Sequence, residues 1–131
     1  MFRRLSRLAF PALAAGVMCG CRENLSEPSS PGPDSQGPTI QLVPGSDTTV
    51  TGSTLNILVT ARDRSRVQTL WFYVVGGNFG YPPVQANDTV LTVGYAVPLS
   101  GFRNASFGFY ARATDLLGNE TVTGTVTVLV R

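Results

Sequence analysis

Residues 120–131, "ETVTGTVTVLVR", alternate an apolar or small side chain with a polar one almost without a break. That period of two is the strongest constraint on what this chain can fold into. A strand sends successive side chains to opposite faces, whereas a helix needs apolar residues three and four apart. As a strand, the segment lines Val122, Gly124, Val126, Val128 and Val130 along one face, with threonines opposite. The same reading extends upstream. "TLNILVTA" places Leu55, Ile57, Val59 and Ala61 on one face, and "ASFGFYARA" does so with Phe107, Phe109, Ala111 and Ala113. "VQTLWFYVV" and "TVLTVGYAVPL" are rich in β-branched and aromatic residues, and Gly94 within the second reads as a bulge or bend. Only the first twenty residues carry a helical apolar stretch. Short strands separated by Gly, Pro, Asp and Asn over about 90 residues predict a β-sandwich. No helical crossover is available to join parallel strands, so the pairing is expected to be antiparallel. With 43% hydrophobic and 14% charged residues, the composition suits a packed core.

Composition also narrows the chemistry. The chain has no histidine, and all ten basic residues are arginine. Ser–His–Asp catalysis, histidine proton shuttling and lysine Schiff bases are thereby removed. "GGNFG" lacks the lysine and following helix of a phosphate loop. Asp88 and Glu120 are the pair to consider for glycosidase-type chemistry, but nothing in the spacing brings them together. Asp63, Asp115 and Glu120 are the oxygen donors to consider for Ca²⁺, which needs six or more clustered oxygens. The expectation is no catalytic residue, no cofactor and no metal. Formal charge is +2, yet Arg3, Arg4 and Arg7 lie at the extreme N-terminus; without them seven arginines face eight carboxylates, a net of −1. Nucleic-acid binding has no electrostatic footing on such a balance. "NLS", "NDT", "NAS" and "NET" match the eukaryotic glycosylation sequon.

The N-terminus reads as an address. "MFRRLSR" is a positive n-region and "LAFPALAAGVM" an apolar h-region, too short to cross ~30 Å of hydrocarbon but right for a signal peptide. "VMCGC" follows, and it resembles a bacterial lipoprotein signal, with small residues leading to Cys21 and Met18 where leucine is usual. The resemblance implies cleavage before Cys21, diacylglycerol on its sulfur and an acyl chain on the new N-terminus. Attachment would be stable, since each buried CH₂ contributes about 0.8 kcal/mol. Arg22 after the cysteine, rather than aspartate, implies the outer membrane by the enterobacterial rule. Cleavage elsewhere to release a soluble domain, lipidation at Cys19, a Cys19–Cys21 disulfide and a thiolate metal site are the competing readings. The last two lack suitable geometry or a further ligand. Residues 21–38 are dominated by Pro, Ser and Gly and read as a disordered tether, reaching from roughly 20 Å as a coil to about 50 Å extended. The expected organisation is a signal peptide over 1–20, a tether over 21–38 and one domain over 39–131.

Within 39–131 a second resemblance appears. "PTIQLVPGSDTTVTGSTLNILVTARDRSRVQTLWFYVVGG" is similar to the opening of bacterial Ig-like (Big-type) domains. Val67, Leu70, Phe72 and Val74 have the spacing of their strand C. "ARATDLLGNET" resembles their hairpin before the last strand. Departures are the arginine-rich connection "RDRSRV", where such domains often place glycine, the long "GGNFGYPPVQAND" segment and the lack of an inter-sheet disulfide. The resemblance implies an Ig-like antiparallel β-sandwich of about seven strands. In its hairpin, Asp115 is expected to accept backbone N–H groups, Gly118 to take φ > 0, and Asn119 to tolerate the same conformation.

If Leu70, Phe72 and Val74 point inward, Trp71 and Tyr73 point outward; likewise Tyr110 and Arg112 flank the inward Phe107 and Phe109. Strands C and F adjoin in Ig-like sheets, so Trp71, Tyr73, Tyr110 and Arg112 are expected on one face. Phe79 and Tyr81 lie in the loop beyond. Such a set suits a protein hot spot or sugar stacking. It equally suits rings that only pack across strands, and a reversed register would bury Trp71. The functional expectation is a non-catalytic, lipid-anchored module of the cell envelope. Its partner would be an envelope protein or, alternatively, a glycan, with the membrane engaged through Cys21.

Overall fold

The computed structural model describes residues 34–131; the expected signal peptide, Cys21 and most of the expected tether lie outside the described residues. Within Pro31–Arg131, one compact unit, seven strands form: β1 (Thr39–Val43), β2 (Thr48–Val50), β3 (Thr54–Val75), β4 (Val84–Pro98), β5 (Ser106–Asp115), β6 (Glu120–Val122) and β7 (Val126–Val130). A single 3₁₀ turn, Ser100–Phe102, is the only helical element among the described residues. The fold is an all-β, Ig-like sandwich. Its pairings are antiparallel with one exception, β2 against β7, which is parallel.

The strands expected over "TLNILVTA" and "VQTLWFYVV" are one element. The first part of β3 pairs with β1 and with Val90–Pro98 of β4; its second part pairs with β5 and with the start of β4. β3 and β4 therefore pass from one layer to the other, and the hydrogen-bonded sheet curls over its own core. The irregularity that permits this lies between Arg62 and Thr69, where the β3–β4 register shifts twice. Arg66 there has φ 70°, the left-handed conformation that glycine would take without strain. Gly94 is not a bulge, because the register runs unbroken through Leu58↔Gly94.

Inward rows from both layers build the core. Ile57, Val59 and Ala61 face Leu70, Phe72, Phe107, Phe109, Ala111 and Ala113, with Val126, Val128 and Val130 alongside. Val67, Leu70 and Phe72 are buried as expected, whereas Val74 is only partly covered. Val122 and Gly124 do not join the row predicted for the last strand; Val122 is 52% exposed. β6 pairs as Arg112↔Val122, but β7 pairs as Phe107↔Val128, a register one residue out of step. A shift of one reverses every side chain's face, so the valines before and after Thr123–Thr125 point opposite ways. Thr123 fills the gap, its Oγ1 accepting from Ala111 N at 3.0 Å and its N–H donating to Ala111 O at 2.9 Å.

The domain also starts earlier than residue 39. Pro38 is fully buried, and a Cβ on Gly37 would stand 2.6 Å from the Glu120 backbone. Residues 34–38 thus pack on the sandwich rather than extend the tether.

Candidate functional site

Because β3 and β5 are paired as Trp71↔Arg112 and Tyr73↔Tyr110, the four side chains expected on one face meet there as two cross-strand couples. The Arg112 guanidinium carbon stands 4.3 Å from the Trp71 ring centroid. Tyr73 and Tyr110 stack at 4.8 Å with 20° between ring planes. All four are half-buried. Arg112 Nε also donates to Glu120 Oε2 at 2.9 Å, so its charge is shared between a ring and a carboxylate. Both partners of that ion pair remain more than a third exposed, and solvent limits its contribution to about 0.5 kcal/mol. Each aromatic couple adds roughly 1 kcal/mol of cross-strand attraction. The result is a pre-ordered outward patch of one indole, a phenol pair and one guanidinium.

Phe79 and Tyr81 do not join this patch. Tyr81 stands edge-on to Phe72 at 5.3 Å and to Tyr95 at 5.1 Å, and its hydroxyl donates to Ala96 O at 2.6 Å. Phe79 meets Tyr81 and Phe102 edge-on. The loop aromatics therefore close one end of the core, and burial raises the Tyr81 phenol above its ordinary value of 10.0. Gly77 permits this plug, because a Cβ there would lie 2.8 Å from Phe79 and 3.0 Å from Phe102.

The β5–β6 hairpin has the expected outline with a different role for Asn119. Asp115 is fully buried; its Oδ1 accepts from Leu117 N and Asn119 N, both at 2.8 Å. Gly118 takes φ 87°. Asn119 is not left-handed, and acts instead through its amide, donating to Asp115 Oδ2 at 2.8 Å and to Asp34 O at 3.0 Å. Hence this turn clamps the start of the domain.

A feature the sequence did not signal lies beside it. Single carboxylate oxygens of Asp34, Asp63 and Asp115 all come within 4.8 Å of one another. Asp34 was assigned to the tether by composition, and 81 positions separate it from Asp115, so no spacing could have joined them. Glu120, expected with Asp63 and Asp115, is engaged by Arg112 instead. The three carboxylates are met by donors: Ser65 N to Asp63 at 2.6 Å, and Ser65 Oγ, Gln36 N and Arg64 Nε to Asp34. The Ser65 hydroxyl, then the Gln36 amide, hold the Asp34 carboxyl below its ordinary 3.8. This contact is present above that value and is lost as pH falls through the lowered one. The cluster reads as a fastening of the N-terminal segment to the hairpin.

Fold and face together define an Ig-like sandwich with a pre-ordered aromatic–arginine patch on its paired strands β3 and β5. No known family pattern matches the chain, and no curated protein matches it. Solved structures with a similar course include the SrpA adhesin from Streptococcus sanguinis, at 23% identity over 76% of this chain and 59% of that one, TM-score 0.48. A point mutant of that adhesin aligns at 26% identity over 76% and 57%, TM-score 0.46. An engineered protein aligns at 21% identity over 72% and 20%, TM-score 0.47. In each case this chain spans less than two thirds of the other. No helix among the described residues is long and apolar enough to cross a membrane.

Proposed function

We propose that this chain is a non-catalytic, lipid-anchored Ig-like module of the bacterial cell envelope, of the Big type, which presents the Trp71–Arg112 and Tyr73–Tyr110 face to a protein partner. The observation that carries the reading is the pairing within that face. Tyr73 and Tyr110 each turn a ring face to the other, and Arg112 covers a face of Trp71. A sugar platform needs free ring faces, whereas a protein hot spot uses ring edges, phenol hydroxyls and a guanidinium together. Export and anchoring rest on the "VMCGC" signal and the Pro/Ser/Gly tether that follows it.

Two measurements test the two halves of the reading. Labelled palmitate should enter the wild-type chain and not Cys21→Ser, which should accumulate as uncleaved precursor; normal maturation of Cys21→Ser overturns the anchor. For the face, Trp71→Ala with Tyr110→Ala should abolish in-membrane cross-linking of a photoreactive probe at Thr114 to an envelope protein, while the far-UV spectrum stays unchanged. Retention of the same cross-link, or glycan-array binding lost in that double variant, would overturn the protein-partner reading.

A further inference from the structure

Among the described residues, the outer edge of β4, a strand of 15 residues, is left open. Leu99 donates its backbone N–H to Ser53 O at 2.8 Å, continuing the β3–β4 register of Leu55↔Val97 and Ile57↔Tyr95. In an antiparallel pair, alternate residues turn both backbone groups toward the neighbouring strand and the residues between turn both away. Leu91, Val93, Tyr95 and Val97 therefore serve β3, while Val90, Thr92, Gly94 and Ala96 point their N–H and C=O groups outward. No strand among the described residues pairs with that side of β4. Tyr81 occupies one lone pair of the Ala96 carbonyl, which marks the end of the open run. Edge strands are commonly blunted by lysine, proline or a bulge. Between Val90 and Val97 there is no charged residue, no proline and no register break.

We propose that two copies of this chain pair antiparallel through β4, about a two-fold axis at Thr92, to form one continuous sheet across the dimer. The midpoint of the open run Val90–Gly94 selects that register, which places Val90 of each copy opposite Gly94 of the other. The side chains fit this arrangement. A Cβ at Gly94 would meet no atom within 4 Å, so a hollow lies there on the outer face. Leu58, the cross-strand neighbour of Gly94, is 45% exposed beside the hollow, and Val90 is 43% exposed. The two-fold sets each Val90 into the hollow next to Leu58 of the second copy, twice over. At the centre the threonine row, already joined by Thr60 Oγ1 and Thr92 Oγ1 at 3.1 Å, continues into the second copy. The nearest acid, Asp88, faces Ala96 of the other copy, so no like charges are opposed. An antiparallel edge paired with itself is isologous, as a closed dimer requires.

The test is disulfide trapping in intact membranes with the full chain carrying Thr92→Cys. Hydrogen-bonded antiparallel partners have Cα atoms about 5.5 Å apart, inside the ~4.4–6.8 Å range of disulfides. Wild type, with Cys19 and Cys21, sets the background, and Ser46→Cys on the exposed β1–β2 connection measures random collision. Thr92→Cys should give a reducible species of twice the chain mass, about tenfold above Ser46→Cys, as pre-pairing raises effective concentration. Adding Gly94→Pro removes an outward N–H that β3 does not use and fills the hollow with a ring, so it should return the yield to the control level with an unchanged far-UV spectrum. A yield no greater than that of Ser46→Cys, a yield indifferent to Gly94→Pro, or a cross-linked species of another mass would each overturn self-pairing.

Discussion

Tyr95 carries the one buried side-chain polar atom that lacks a hydrogen-bond partner among the described residues, its hydroxyl oxygen. The ring itself is well used, stacked on Phe72 at 4.3 Å and met edge-on by Tyr81. Burial raises the phenol above 10.0. Because the folded value exceeds the unfolded one, the stability linked to this group is complete below pH 10 and is lost as pH rises through the raised value. Tyr95→Phe keeps the stacking and removes the unpaired oxygen. It should leave stability unchanged or raise it by up to about 1 kcal/mol in urea unfolding, with a smaller loss between neutral and strongly alkaline pH. Tyr81 offers the contrast, since its hydroxyl is satisfied by Ala96 O. That the Tyr95 hydroxyl ends without an acceptor depends on which side chains surround it.

Among the elements, the β5–β6 hairpin shows how a short motif acquires a second task. Asp115 accepts three hydrogen bonds from within the hairpin, and Asn119 passes the connection on to Asp34. Asp115→Ala leaves two backbone N–H groups of a part-buried turn without their acceptor and takes one of two acceptors from the Asn119 amide. A loss of about 3 kcal/mol is expected, read as a lower urea midpoint. Resonances of Asp34–Pro38 should shift together with those of the hairpin. The local half of this, an acceptor aspartate and a positive-φ glycine, was legible in "ATDLLGN". The remote half was not, since Asp34 sits in a Pro/Ser/Gly-rich run that composition alone assigns to a tether. The last strand shows the same division. "ETVTGTVTVLVR" alternates, and alternation cannot reveal a one-residue slip that preserves it in appearance while turning Val122 outward.

For the molecule as a whole, β3 and β4 tie two layers into one hydrogen-bonded sheet, so the core is shared and has no separable half. Phe72 lies at its centre, touching Tyr81, Tyr95 and Phe109. Phe72→Ala should cost about 3–5 kcal/mol and shift tertiary and backbone signals in one transition. What the sequence by itself determined is what a period of two determines: that the domain beyond the Pro/Ser/Gly-rich run is built of strands, and which side chains share a face within one unbroken strand. That period turns Trp71, Tyr73, Tyr110 and Arg112 outward, and the resemblance to Ig-like sheets implies that they share one surface. Tertiary structure alone decided how the strands are matched. It made β3 continuous, put the shift at 62–69 instead of Gly94, gathered Asp34, Asp63 and Asp115, sent Phe79 and Tyr81 into the core's end and left the outer edge of β4 without a strand partner. Side-chain alternation is a property of each strand in isolation, while register and edges belong to pairs of strands far apart in the chain.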